Sequence, residues 1–325
     1  MTVRWTRPLI AGALAATTAL LAPAVSAQDY PNKPITMVVP FGPGSGTDQM
    51  ARVIAQGLSE ELKVPVVVDN KGGASGFIAA QYVAKAAPDG YTLWITTNTT
   101  QSANEHLFKK LPYDPVKDFT PITLLAKGQM FLLVRPDSPY KSQADLVAAA
   151  KQAPGKLNFG SGSSSSQVAS ELFKQMANID AVNVPYKSNP LAITDLIGGQ
   201  IDFMFADAPT GLPQVQGGKL RALSTSGSTR LAAAPDVPTV EQAGIKGYDM
   251  TYWFAMYAPP GVPPALLKKL NQTLTKVAKG EEFSKALAKS SGELVLTTPE
   301  GLAQFQAEDS KKWGKVIRAA GIEPQ

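Results

Sequence analysis

The chain has 325 residues, a formal charge of +5, one histidine and no cysteine. Without cysteine there is no disulfide scaffold, and a single histidine leaves only hard-oxygen chemistry open to a metal. The mild basic surplus forms no Lys/Arg stripe with interleaved aromatics, so nucleic-acid binding has no support.

Residues 1–27 read as a signal peptide. Arg4 and Arg7 give a positive start, and the apolar run over 9–21 is too short to span a bilayer. Val25-Ser26-Ala27 offers the small residues that a signal peptidase needs, so the mature chain is expected to begin at Gln28. Loss of the two arginines lowers the charge from +5 to +3. With no cysteine to carry a lipid, an exported, soluble protein is expected. About three hundred mature residues exceed the usual single core, which predicts two domains.

Ile35-Thr36-Met37-Val38-Val39 is apolar and strand-like, and a helix is expected over 47–62, with Met50, Ile54 and Leu58 on one face. Between them lies Pro40-Phe41-Gly42-Pro43-Gly44-Ser45-Gly46-Thr47-Asp48. Residues 64–69 read as a second strand, apolar enough to be covered on both faces. A helix over 76–86 is expected to bury Ile78, Tyr82 and Val83, and 91–95 gives a third strand. This βαβαβ order implies a parallel sheet. Residues 98–102 read as a polar loop beyond a strand's C-terminal end, where open α/β sheets place ligands. The long apolar stretch 120–134 is expected to leave the first lobe and enter the second.

In the second lobe, Ser142 can cap a helix over 144–151. Strand 156–159 then runs into Gly160-Ser161-Gly162-Ser163-Ser164-Ser165-Ser166 and a helix with Val168, Leu172 and Met176 on one face. Residues 181–185 are a strand. Asn189 reads as a cap with Pro190 as the first helical residue, and 201–207 is a strand ending in Asp207. Residues 220–224 read as a shorter strand and 248–257 as a second crossover. Two closing helices are expected at about 265–279 and 299–320, with Thr298 as the cap of the second, both packing back on the first lobe. The fold class is therefore α/β in two lobes. Each is a mainly parallel sheet flanked by helices, and two crossover strands join them: lobe one 28–128 and 251–325, lobe two 129–250.

A strand that stops at a Gly- or Ser-rich turn and restarts as a helix leaves backbone N–H groups free at the positive end of the helix dipole. The chain does this twice. Phe41, Gly44, Ser45, Gly46, Thr47 and Asp48 form one candidate anion turn, and Gly160, Ser161 and Ser163 to Ser166 the other. Asp207, at a strand end, is a candidate acceptor for a ligand ammonium or hydroxyl, or else a helix cap. Catalysis has little to work with. There is no Gly-x-Ser-x-Gly elbow, and the one histidine, His106, is remote from the serine run. Gly42-x-Gly44-x-Gly46 lacks the third glycine of a dinucleotide fingerprint, since position 47 is threonine. No cofactor, no metal and no catalytic residue is expected, and nothing signals an oligomer, so a monomer is expected.

Several motifs in order carry a resemblance over nearly the whole mature chain. They include Tyr30-Pro31-Asn32-Lys33-Pro34-Ile35, Val39-Pro40-Phe41-Gly42-Pro43-Gly44, Leu111-Pro112-Tyr113-Asp114-Pro115, Asn158-Phe159-Gly160-Ser161, Val184-Pro185-Tyr186-Lys187 and Asp195-Leu196-Ile197-Gly198-Gly199-Gln200. The chain resembles the Bug family of periplasmic receptors, the solute-binding components of tripartite tricarboxylate transporters. The resemblance implies a two-lobed flytrap in which the turns matching Phe41–Asp48 and Gly160–Ser166 pinch a carboxylate, partly through water. It further implies a periplasmic location, delivery of a small organic acid to membrane permease subunits, and no chemical conversion. Three positions depart from the pattern: Ser45 for a second glycine, Gln167 for a histidine after a shortened turn, and Ser188 for a glycine. These bear on the ligand more than on the fold. A sensor subunit serving a membrane kinase is the alternative role, and a serine hydrolase a more distant one.

Overall fold

The computed structural model describes residues 1–3, 30–289 and 291–325. The expected signal peptide, apart from its first three residues, and the expected start at Gln28 lie outside the described residues. Among the described residues no helix is long and apolar enough to cross a membrane.

In the first lobe β1 (Ile35–Val39), α1 (Gly46–Leu62), β2 (Val66–Asn70), α2 (Phe77–Ala84) and β3 (Thr92–Thr97) alternate as expected, with parallel strands in the order β2-β1-β3. A wide turn over Thr99–Ala103 and α3 (Asn104–Leu107) lead to β4 (Thr120–Val134). After α4 (Gln143–Gln152) the second lobe repeats the plan. β5 (Asn158–Ser161), α5 (Ser164–Ala177), β6 (Val182–Pro185), α6 (Asn189–Ile197) and β7 (Phe203–Asp207) follow, with parallel strands in the order β7-β5-β6. Then come α7 (Ala208–Gln216), β8 (Arg221–Thr225), β9 (Thr251–Ala258), α8 (Pro264–Ala278), α9 (Glu281–Lys289), β10 (Glu293–Leu294) and α10 (Pro299–Ala319).

β4 is where the lobes join. Its residues up to Gln129 pair antiparallel with β9, and from Met130 onward it pairs antiparallel with β7 and β8. β9 also pairs with β3, so one continuous sheet runs through both lobes. The second crossing is shorter than the apolar stretch 248–257 suggested. Tyr248 belongs to the second lobe, stacked on Phe205 at 5.8 Å with its hydroxyl donating to the Ala169 carbonyl. The strand starts only at Thr251. α8 packs on α1, and α10 covers the 99–103 turn and β4, so the tail does return to the first lobe.

Other expectations need correction. β2 is the sheet's edge strand, not a strand covered on both faces, and Val67 is 55 % exposed. α2 buries Ala79, Ala80 and Val83, whereas Ile78 and Tyr82 face solvent and Tyr82 lies under the Lys71 ammonium. Residues 98–102 are not an open polar loop: Asn98 to Ser102 are all buried beneath α10. α9 and β10 were not expected. Ser142, by contrast, makes the capping box with Asp145 that its sequence announced.

The second lobe's core centres on Phe173 of α5, whose ring meets Phe203, Phe205 and Tyr248 at 5.7 to 6.5 Å. These rings hold α5 on the sheet and so fix where its first turn points. Phe173→Ala should therefore lower unfolding stability by about 3–5 kcal/mol, as for other buried aromatics, measured by chemical denaturation. A loss below about 1 kcal/mol would show that this cluster does not anchor α5.

Candidate functional site

The first turn is held from below. Gly44 has a left-handed φ of 80°, which lets the chain reverse before Ser45 caps α1. Asp48, 2 % exposed, accepts the Gly44 N–H at 2.8 Å, Arg52 Nε at 3.0 Å and Asn70 Nδ2 at 3.0 Å. Burial alone would raise the Asp48 carboxyl. The bonds from Arg52, Gly44 and Asn70 outweigh it and hold the group below its ordinary range. Ser45 Oγ accepts the Asp48 N–H and the Ser45 carbonyl accepts that of Gln49. The N–H groups of Gly46 and Thr47 are left with no protein acceptor among the described residues.

The second turn is held by serine side chains, with glycines at 160 and 162. Ser163 caps α5, its Oγ accepting the Ser166 N–H at 3.2 Å, while Ser166 Oγ accepts the N–H groups of Gly162 and Ser163. Ser164 and Ser165 keep free N–H groups in the same way as Gly46 and Thr47. Gly162 is required here, since a Cβ would collide with the backbone of Ser188 and Asn189. Two hydroxyls reach across to the first lobe: Ser164 Oγ donates to Asn104 Oδ1 at 2.8 Å, and Ser165 Oγ lies 3.2 Å from Thr99 Oγ1.

The two turns front one crevice that encloses a cavity of about 40 Å³. From the predicted residues it gathers Phe41, Ser45, Gly46 and Thr47 on one wall and Ser163, Ser165 and Asp207 on the other. The remaining predicted residues do not line it. Gly44 and Asp48 shape the first turn, and Ser166 is used up in the second cap. Ser161 and Ser164 face an adjoining groove, and Gly160 lies against Ile201 and Ala192. Met130, Tyr252 and Phe254 of the crossing strands, with Thr97 at the end of β3, supply walls that sequence reasoning missed. Only the expectation that 120–134 and 248–257 cross between lobes could have pointed to Met130, Tyr252 and Phe254. Asn189 is not the helix cap that its place before Pro190 suggests. Ser188 holds that position, which frees the Asn189 side chain for the crevice.

Asp207 ends β7 and occupies the cap position of α7. Its Oδ1 accepts from Asn189 Nδ2 and from Thr210 Oγ1 at 2.9 Å. Its Oδ2 is sealed from solvent, has no partner and points at Gly46 of the other lobe, where a Cβ would collide with it. Burial pushes this carboxyl above its ordinary range, against the pull of the Asn189 and Thr210 bonds. The wall thus holds backbone donors, an apolar floor and one buried carboxylate. It holds no nucleophile with a base: the ring of His106 instead bonds Ser310 of α10. Among the described residues no cluster of His, Asp or Glu could hold a metal.

The sequence profile of the tripartite tricarboxylate transporter family receptors matches residues 50–322. Three solved structures are similar in fold and sequence. Rpa4515 of R. palustris with adipate is 34% identical, with a TM-score of 0.89 over 91% of this chain and 100% of that one. The periplasmic binding protein BugD is 30% identical, with a TM-score of 0.87 over 91% and 100%. MatC of Rhodopseudomonas palustris with bound malate is 31% identical, with a TM-score of 0.84 over 89% and 100%.

The two buried carboxylates should respond to pH in different ways. Asp48 has a lowered folded pKa, so its ionised form stabilises the fold above about pH 4, and that contribution disappears as pH falls through the folded pKa. Asp207 has a raised one, so its ionised form costs stability at neutral pH and nothing once protonated. In ligand-free protein, Asp48→Asn should lower the thermal midpoint at neutral pH and Asp207→Asn should raise it. Both differences should shrink toward acid pH. Midpoint shifts of the same sign for the two variants at neutral pH would contradict the assignment.

Proposed function

The chain belongs to the family of tripartite tricarboxylate transporter receptors, and we propose that it captures a small carboxylate between its lobes outside the cytoplasm and delivers it to the membrane subunits of such a transporter. The observation that carries this reading is the pair of helix starts on one crevice, with free N–H groups at Gly46 and Thr47 on one side and at Ser165 on the other. Adipate in Rpa4515 and malate in MatC, similar folds with carboxylates bound, support the ligand class. The ligand contacts we assign are the predicted crevice residues Phe41, Ser45, Gly46, Thr47, Ser163, Ser165 and Asp207. Gly44, Asp48, Gly160, Ser161, Ser164 and Ser166 hold the two turns in shape.

Uncharged donors suit a receptor that must release its cargo. Each charge-assisted bond contributes about 1.5–3 kcal/mol, and a few of them, less the cost of association, give a dissociation constant of about micromolar. The lobes we assign are 28–128 with 251–325, and 129–250. The change of partner along β4 between Gln129 and Met130 supports that division. A monomer exported to the periplasm by cleavage after Ala27 completes the proposal. It is a binding role throughout, in keeping with a family of receptors rather than enzymes.

A panel of small organic acids should raise the thermal midpoint of the mature protein, and the best of them should shrink its radius of gyration in X-ray scattering as the lobes close. Gly46→Val should abolish both effects, since any side chain there meets Asp207 across the crevice. No midpoint shift with any acid would refute a carboxylate receptor.

A further inference from the structure

The lobes also touch outside the crevice. Asn104 belongs to the first lobe and is fully buried. Its Nδ2 donates to the Ser75 carbonyl at 2.9 Å and to Tyr113 Oη at 3.1 Å, and that hydroxyl in turn donates to the Thr100 carbonyl at 2.8 Å. Both amide hydrogens are thus spent inside the first lobe, which fixes the side chain and presents Oδ1 to the second. Ser164, the first residue of α5 and 2 % exposed, donates its Oγ to that oxygen at 2.8 Å. Beside this pair, Ser165 Oγ lies 3.2 Å from Thr99 Oγ1, so the same two segments meet twice.

Neither Asn104 nor Ser164 lines the crevice, so their bond needs no guest. It does need the lobes to be together, because donor and acceptor stand on different ones. With the lobes apart, water can bond both groups. With the lobes together both are sealed, and Ser164 is the one donor that reaches Asn104 Oδ1 among the described residues. Loss of the serine hydroxyl would therefore leave a buried acceptor unsatisfied in the closed arrangement and nowhere else.

We propose that Asn104 and Ser164 form a clasp that closes the lobes without a ligand and sets the open-to-closed balance on which ligand binding then acts. They are positioning residues, since they act on the guest only through the placement of the two helix starts. This rests on the two-lobed receptor reading and adds to it the pair that governs closure. The chain has no cysteine, so Lys85→Cys on the first lobe and Lys151→Cys on the second, both exposed, take spin labels at defined places. Double electron–electron resonance on the ligand-free mature protein then reads the lobe-to-lobe distance. Two distances are expected, with the closed one populated before any ligand is added. Ser164→Ala should lower the closed-to-open ratio about tenfold, the factor that one unsatisfied buried acceptor supplies. Adding Asn104→Ala should lower it no further, since the bond is already gone. A purely structural role would lower the unfolding midpoint and leave the ratio alone. A ratio unmoved by Ser164→Ala, or unaltered protein found only open without ligand, would overturn the clasp. A change of distance with adipate or malate in the same samples would leave the receptor reading standing. A single distance in every variant, with or without adipate and malate, would overturn the clasp and lobe closure together.

Discussion

The first N–H groups of an α-helix have no partner inside the helix. Most proteins settle that deficit with side chains or water; here two helices from different lobes turn part of it toward a single crevice. The caps are built so that the deficit survives. Ser45 and Ser163 each satisfy one donor of the first turn, at Asp48 and Ser166, and leave the two preceding N–H groups free. The rest of the molecule serves to hold these helix starts opposite one another. Phe173 and its ring partners set the second. The Asp48 carboxylate, pinned by Arg52 and Asn70, sets the first.

Much of this was legible in the amino-acid order. β1, β4 and the capped helices α4 and α10 lie where apolar periodicity and cap residues put them, because local rules govern those segments. Both anion turns were visible for the same reason: a strand, a Gly- or Ser-rich turn and a helical stripe are neighbours in sequence. The family resemblance stated from motifs alone agrees with the profile match and with the folds of BugD and MatC.

What escaped the sequence depends on partners far along the chain. Whether an apolar strand is covered depends on its place in the sheet, and β2 lies at the edge. Residues 98–102 look like a polar loop, yet α10, some two hundred positions later, covers them, with Gln306 bonding the Gln101 carbonyl. Asp48 is a charged residue in a binding loop, which suggested ligand contact. Only the position of Asn70 and Arg52 shows that its oxygens are already committed. Asn189 is a one-residue matter: with Ser188 as the cap, its side chain turns from the helix to Asp207.

Closure links the two walls of the crevice. Gly46 offers a free N–H from the first lobe and also faces Asp207 Oδ2 from the second, close enough that only glycine fits. Gly46 and Thr47 stand on one lobe and Ser165 and Asp207 on the other, so the separation of the two walls is set by how far the lobes have come together. β4 and β9 supply both the crossing and the floor of the crevice, through Met130, Tyr252 and Phe254, so any bending at the crossing would also reshape that floor. The crossing between the lobes and the floor of the crevice are in this way built from the same few residues.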